Sequence, residues 1–140
     1  MTGDMTTTPA PAVTAERHAS RLGHVTAVVV TFRNEADVVG CVTALRRALD
    51  VLPSEVVVVD NHSDDATVAT VRGAFPDVRV VERHVNDGFG RGCHVGADSA
   101  AGEWLLFVNP DAVIAPDAVE ALLATAARFP KAGVLGGRAL

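Results

Sequence analysis

Cysteine is scarce in this chain: the two residues, Cys41 and Cys93, stand far apart and form no CxxC pair. That usage argues against a metal–thiolate site and suits a reducing compartment. Positive charge is also short. Twelve Lys and Arg face 17 Asp and Glu, giving a formal net charge of -5. The basic residues are scattered and form no stripe, so nucleic acid is not an expected partner. No apolar run approaches the roughly 20 residues of a membrane span. Met1 to His24 has no apolar core of the secretory kind. The sequence contains no internal repeat. It lacks GxxxxGK[ST], which removes P-loop chemistry. GxGxxG also fails, because its last position is Cys93 when read from Gly88 and Val95 when read from Gly90. No Ser/His/Asp or Cys/His nucleophile set can be argued from spacing.

What is present is globular. The 140 residues are 49% hydrophobic and 21% charged, enough for one domain with its own core. Residues 1–24, rich in Thr, Pro and Ala without a hydrophobic period, read as a disordered tail. After it, strand-like and helix-like stretches alternate. Val25 to Thr31 and Glu55 to Asp60 are β-branched runs that read as buried strands. A helix between them carries Val38, Val39, Val42, Leu45 and Leu49 at helical spacing, with Asn34 or Asp37 as its cap. A second helix follows Asp60, capped by Ser63 or Asp64 and ending near Gly73. Val78 to Glu82 reads as a third strand. The glycine-rich stretch 86–92 reads as a loop running into a helix over 93–100, with Phe89 plugging the core and Cys93 as small packing.

Glu103 to Val108 reads as the fourth and central strand, stopped at Asn109-Pro110-Asp111 because proline cannot donate to a ladder. Pro116 suits the first turn of a helix carrying Val119, Leu122, Leu123 and Ala126, and Gly133 to Leu135 begins a fifth strand. Such alternation predicts an α/β fold, an open, mostly parallel sheet with helices on both faces.

In a parallel sheet the segments after successive strands share one edge, and ligands bind at that edge. Four polar sets fall there: Thr31, Phe32 and Arg33; Asp60 and Asn61; Asn86 and Gly88; Asn109 and Asp111. Each set alone also reads as an ordinary capped loop. Together they offer distinct jobs. Asp60 can accept from the imide N–H of a base, with the Thr31 hydroxyl beside it. Asp111 can hold Mg²⁺ or Mn²⁺, hard cations that bind through one or two carboxylates plus substrate phosphates. Arg33 and Arg91 could assist, or be solvated surface arginines. His94 could meet phosphate or be structural; His62 and His84 read as solvated loop residues.

The segments VVVTFRNE (28–35), VVVVDNHSDD (56–65), NDGFGRGCHVG (86–96), AGEWLLFVNPDAVI (101–114) and GVLGGR (133–138) resemble, in order, a family 2 glycosyltransferase of the GT-A fold with a rhamnosyltransferase-like flavour. The resemblance implies a nucleotide-sugar-binding domain over 25–140 and a nucleotide-diphospho-sugar donor, dTDP- or UDP-linked rather than GDP-linked. It further implies a divalent metal, inversion at the sugar carbon, and a glycan or lipid-linked acceptor. Thr31, Arg33 and Asp60 are implied around base and ribose, and Glu35 matches a commonly acidic position. Asn109-Pro110-Asp111 stands where the family has DxD, with Asp111 as the metal-touching carboxylate. His94 departs from the asparagine usual at its position. The family's catalytic base and acceptor half are expected beyond Leu140; Asp117 and Glu120 read instead as helix-dipole partners. Cysteine usage and the missing secretory core point to the cytoplasm, in solution or at the inner face of the membrane, and a homo-oligomer is left open.

Two other functions compete with a transferase of the hexosyl or rhamnosyl kind, or its donor-binding part. One is a catalytically incomplete module that holds a nucleotide or a partner. The other is a nucleotidyltransferase, disfavoured because Thr31-Phe-Arg-Asn-Glu35 carries no glycine loop.

Overall fold

The computed structural model describes residues 23–138. Four strands, β1 (Val25–Thr31), β2 (Ser54–Asp60), β3 (Arg79–Glu82) and β4 (Trp104–Val108), form one parallel sheet in the order β3-β2-β1-β4. Helices α1 (Val38–Leu49), α2 (Thr67–Ala74), α3 (Phe89–Asp98) and α4 (Ala118–Arg128) alternate with them. Strands β1 and β2 run in register from Val25 beside Ser54 to Thr31 beside Asp60, so their C-terminal ends are level.

The alternation of side chains along β1 splits the interior in two. Val25, Ala27 and Val29 join Val58 of β2, Val38, Val42 and Leu45 of α1, Val71 of α2, and Val119 and Leu123 of α4 in the larger core. Val28, Val30, Val57 and Val59 face the other way and meet Cys93 of α3. Helices therefore lie on both faces, and both middle strands are buried because both faces are covered.

The reading of Glu103 to Val108 as the central strand is corrected: among the described residues β4 lies at the sheet edge, paired only with β1. Val108 is buried, but Trp104, Leu105 and Phe107 are 39%, 43% and 44% exposed. Leu105 and Phe107 stand beside Thr26 and Val28 on the face that α3 covers over β1 and β2. The fifth strand does not form among the described residues: 133–138 carries no regular structure. That stretch instead borders, with β4 and α4, an apolar groove of about 610 Å³.

The glycine stretch also folds differently. Helix α3 begins at Phe89, four residues earlier than the composition suggests, and takes in Gly90, Gly92 and Gly96. A Cβ on Gly92 would lie 2.5 Å from Val30 Cγ1, and one on Gly96 2.9 Å from Val28 Cγ2 and closer still to Cγ1. These two glycines, one turn apart, let the helix backbone settle onto β1. Phe89 is no core plug: at the helix start it is 48% exposed. The expected caps are replaced as well. Neither Asn34 nor Asp37 caps α1 with its side chain; Asn34 Oδ1 turns back to accept Phe32 N–H at 2.9 Å. At α2, Asp65 takes the Thr67 N–H at 3.0 Å, because Ser63 and Asp64 are occupied elsewhere.

Residues 1–22 lie outside the described structure, and with them most of the tail reading. His24 is described, and its carbonyl accepts Trp104 N–H at 3.1 Å.

A polar clasp at the opposite end of the sheet fixes the entry to β4. Glu55 accepts Ala101 N–H at 2.8 Å and the Thr26 hydroxyl at 2.7 Å, and pairs with Arg79 at 3.1 Å. The Ala101 amide, then the Thr26 hydroxyl and Arg79, hold its carboxyl below the usual glutamate range despite opposing desolvation. A carboxyl depressed in the folded state stabilises the protein above its unfolded pKa, about 4.3, and that stability is lost as pH falls through the lower folded value. Thermal melts from neutral to acid pH should show Glu55→Gln less stable by about 1 kcal/mol at neutral pH, converging on wild type as the acid removes the same charge. Parallel curves for the two proteins would refute this.

Candidate functional site

The C-terminal edge of the sheet is tied together loop by loop. Asp60, last residue of β2, is 2% exposed. Its Oδ1 accepts the Thr31 hydroxyl at 3.1 Å and the Ser63 hydroxyl at 2.5 Å, and its Oδ2 accepts Ser63 N–H at 2.8 Å. Ser63 Oγ in turn accepts Arg33 N–H at 2.9 Å. Two residues on these loops take left-handed backbone angles, Arg33 at φ 56° and His62 at φ 68°. Such angles are uncommon outside glycine, and here the Asp60–Ser63–Arg33 bonds hold them.

Further ties widen the knot. Arg33 grips Asp64 with two bonds of 2.6 Å and lies 5.1 Å from the centre of the Phe32 ring. That grip is solvent-exposed and holds the Asp64 carboxyl below its usual range. Thr67 Oγ1 accepts Asn34 N–H at 3.0 Å and donates to Asp65. Asn61, 2% exposed, donates from its amide to Gly88 O at 3.1 Å and accepts from Arg83 at 3.0 Å. Arg83 also pairs with Asp87 and holds that carboxyl down to about 2. Gly88, at φ 96°, precedes α3 and donates its N–H to Asn86 Oδ1 at 3.1 Å.

The structure thus joins Thr31, Arg33, Asp60 and Asn61 with Asn86 and Gly88 through direct bonds or one intermediary. Phe32 and Glu35 belong to the same loops but turn outward. His94 is exposed on α3, and His62 and His84 are exposed in loops. Asn109 and Asp111 form a separate group. The Asn109 carbonyl accepts Ala112 N–H at 3.1 Å and the Cys41 thiol of α1 at 3.3 Å. Val108 is buried, and Ala112 and Ile114 pack on the larger core, while Asp111 faces solvent between them. Among the described residues Asp111 has no ion pair or hydrogen bond of its own, and no three His, Cys, Asp or Glu gather to form a metal cage. Burial, and then the nearby Asp111 charge, push the Cys41 thiol up to about 11, so it remains a protonated donor at neutral pH.

Several participants were not foreseen from sequence, among them Ser63, Arg83 and Cys41. Ser63, three residues past Asp60, has the spacing of a side-chain turn, a signal available in the sequence. Arg83 carries a local signal only toward Asp87, four residues on, while its bond to Asn61 and the Cys41 bond to Asn109 depend on how distant segments meet.

Fold and edge together define an α/β protein of the open parallel-sheet class with its polar residues at the carboxyl ends of the strands. Residues 26–140 match the family described as Glycosyl transferase family 2, and the chain belongs to that family. It is 30% identical over 95 residues to an N-acetylglucosaminyl-diphospho-decaprenol L-rhamnosyltransferase of Mycobacterium tuberculosis, an alignment covering 60% of this chain and 31% of that protein. The crystal structure of S. aureus TarS 1-349 in complex with UDP superposes with a TM-score of 0.61 at 25% identity, over 75% of this chain and 32% of that one. The mannosyltransferase PcManGT of Pyrobaculum calidifontis, in complex with GDP-Man and Mn2+, shares the fold at 23% identity with a TM-score of 0.64, over 89% and 41% of the two chains. The fold is GT-A. The chain spans about a third of the length of the rhamnosyltransferase it matches. Among the described residues no helix is long and apolar enough to cross a membrane.

Proposed function

We propose that residues 25–140 bind the donor in a glycosyltransferase that moves a hexosyl or rhamnosyl group from a nucleoside diphosphate to a hydroxyl acceptor, with inversion. The observation that carries this reading is the knitting of the β1, β2 and β3 loops around buried Asp60, with Asp111 exposed at the end of neighbouring β4. Two hydroxyls and one N–H fill most of the Asp60 acceptor capacity and leave a lone pair on Oδ2 for a base imide N–H. Uracil and thymine present that donor. Thr31 orients the carboxylate, while Phe32 and Arg33 form an exposed shelf for base or ribose.

Asp111 fits a divalent cation of the hard class: one exposed carboxylate without a partner among the described residues, with the remaining positions left to water and diphosphate oxygens. Bound there, Mg²⁺ or Mn²⁺ would offset the charge that develops on the departing diphosphate. The UDP and the Mn2+ seen in the two related structures support the same donor class. The lipid-linked acceptor named for the mycobacterial relative supports a lipid- or glycan-linked hydroxyl as acceptor.

Calorimetry with UDP and dTDP, with and without Mn²⁺, tests the assignment. Metal should tighten binding at least tenfold, about 1.4 kcal/mol, and Asp111→Ala should erase that gain while leaving metal-free binding in place. Affinity indifferent to metal would overturn the role of Asp111. A second reading, a module that binds donor but does not transfer alone, is favoured by the uncovered apolar side of β4. Tight donor binding without sugar transfer by the same protein would select it.

A further inference from the structure

Asp111 sits on a turn of four residues, and what fixes that turn is unusual. The carbonyl of Asn109 takes two hydrogen bonds: one from Ala112 N–H within the turn, the other from a side chain of a different element, the thiol of Cys41 on α1. Cys41 is 2% exposed, in the second turn's worth of a helix whose Val38, Val42 and Leu45 anchor the larger core. The helix is thus a rigid post, and among the described residues the thiol is its single hydrogen-bonded link to the turn. On the other side, Ala112 and Ile114 fasten the chain to the same core. Between these anchors Asp111 and Val113 are exposed and Pro110 is half-buried.

We infer that Cys41 is a positioning residue for Asp111: through the Asn109 carbonyl its thiol holds the 109–112 turn in the orientation that presents the carboxylate to a divalent cation. The inference rests on the metal reading of Asp111 given above. Cys41 itself touches neither metal nor nucleotide. Its buried thiol is a weak donor, and its effect comes from geometry: a carbonyl bound twice cannot swing, and the following proline removes the competing amide. A turn held this way spends less ordering entropy when the cation binds, which appears as tighter metal-dependent affinity rather than as nucleotide contact.

The test measures UDP affinity of the full chain with Mn²⁺ and with EDTA, together with amide exchange at Ala112 in metal-free protein. Cys41→Ala and Cys41→Val both delete the donor, the first leaving a small void and the second filling the site with a somewhat larger apolar side chain. Each should reduce the Mn²⁺-dependent gain by about three- to tenfold, the value of one hydrogen bond, and speed Ala112 exchange by a similar factor. UDP affinity in EDTA should not change. Cys41→Ser, which restores a donor, should recover both the gain and the protection; a role in packing alone would not follow this pattern. Folded Cys41→Val with full gain and normal exchange would overturn the inference, as would Cys41→Ser behaving like Cys41→Ala. Absence of any Mn²⁺ gain in wild type would instead mark failure of the metal reading.

Discussion

Replacing Asp60 with alanine should unlock the whole strand-end knot. The carboxylate is 2% exposed and takes three hydrogen bonds, from the Thr31 hydroxyl, the Ser63 hydroxyl and the Ser63 amide. At present no buried side-chain polar atom among the described residues lacks a partner. Removing the acceptor strands these donors, one of them on Thr31 at 1% exposure. Each buried group left unpaired costs roughly 1–3 kcal/mol, so a total loss of about 2–4 kcal/mol is expected in urea unfolding. Ser63 would also release the Arg33 amide, and with it the loop after β1. Ligand selectivity should fall in parallel: UDP and dTDP should bind more than tenfold tighter than ADP to wild type, and equally to the variant. Asp60→Asn separates the effects. It keeps the volume and one acceptor, so it should fold better than the alanine variant while still losing the base preference. An Asp60→Ala protein as stable as wild type would show that the knot is held by other bonds.

The sequence makes some of this site legible and conceals the rest for definable reasons. The β-branched runs at 25–31 and 54–60 are hydrophobic on both sides, and only a strand covered on both faces tolerates that; β1 and β2 are such strands. The spacing of Val38, Val42, Leu45 and Leu49 matches the buried stripe of α1. Placing Asp60 and Asp111 on one edge follows from parallel topology alone. Position within the sheet does not. The run Trp104 to Val108 is as apolar as β2, yet strand order depends on which way each crossover turns, and β4 ends at the edge. Local capping rules failed at Ser63 because its side chain turns back to Asp60, three residues earlier, and at Asp64 because its carboxylate found a long-range partner, Arg33, whose approach no short window contains. The glycines at 88–96 suggest a loop by propensity, since glycine weakens a helix by about 1 kcal/mol relative to alanine. Here close packing on β1 overrides that preference.

That last conflict yields a prediction in which one substitution has opposite signs at different helix positions. In α1, Gly40 is exposed and an added Cβ would meet nothing within 4 Å. Gly40→Ala should therefore stabilise the protein by about 0.5–1 kcal/mol, through lower chain entropy in the unfolded state and better helix propensity. Gly96→Ala places the same methyl against Val28 Cγ1, Cγ2 and Cβ, the last at 3.2 Å, on a strand that is 0% exposed at that residue. Val28 cannot withdraw: it is β-branched, stiff at χ1, and clamped between Val57 and Phe107 on the neighbouring strands. The helix must move instead, at a cost of about 1–3 kcal/mol for overpacking. Movement of α3 would also carry Gly88 and the Gly88 carbonyl away from the Asn61 amide, so the β2 and β3 loops should loosen with it. Urea denaturation of both variants, with amide exchange at Asn61 as the local reporter, decides the matter. Equal stability of Gly96→Ala and Gly40→Ala would mean that α3 does not depend on glycine for its seat on β1, and that the glycine stretch has to be explained by the ligand edge instead.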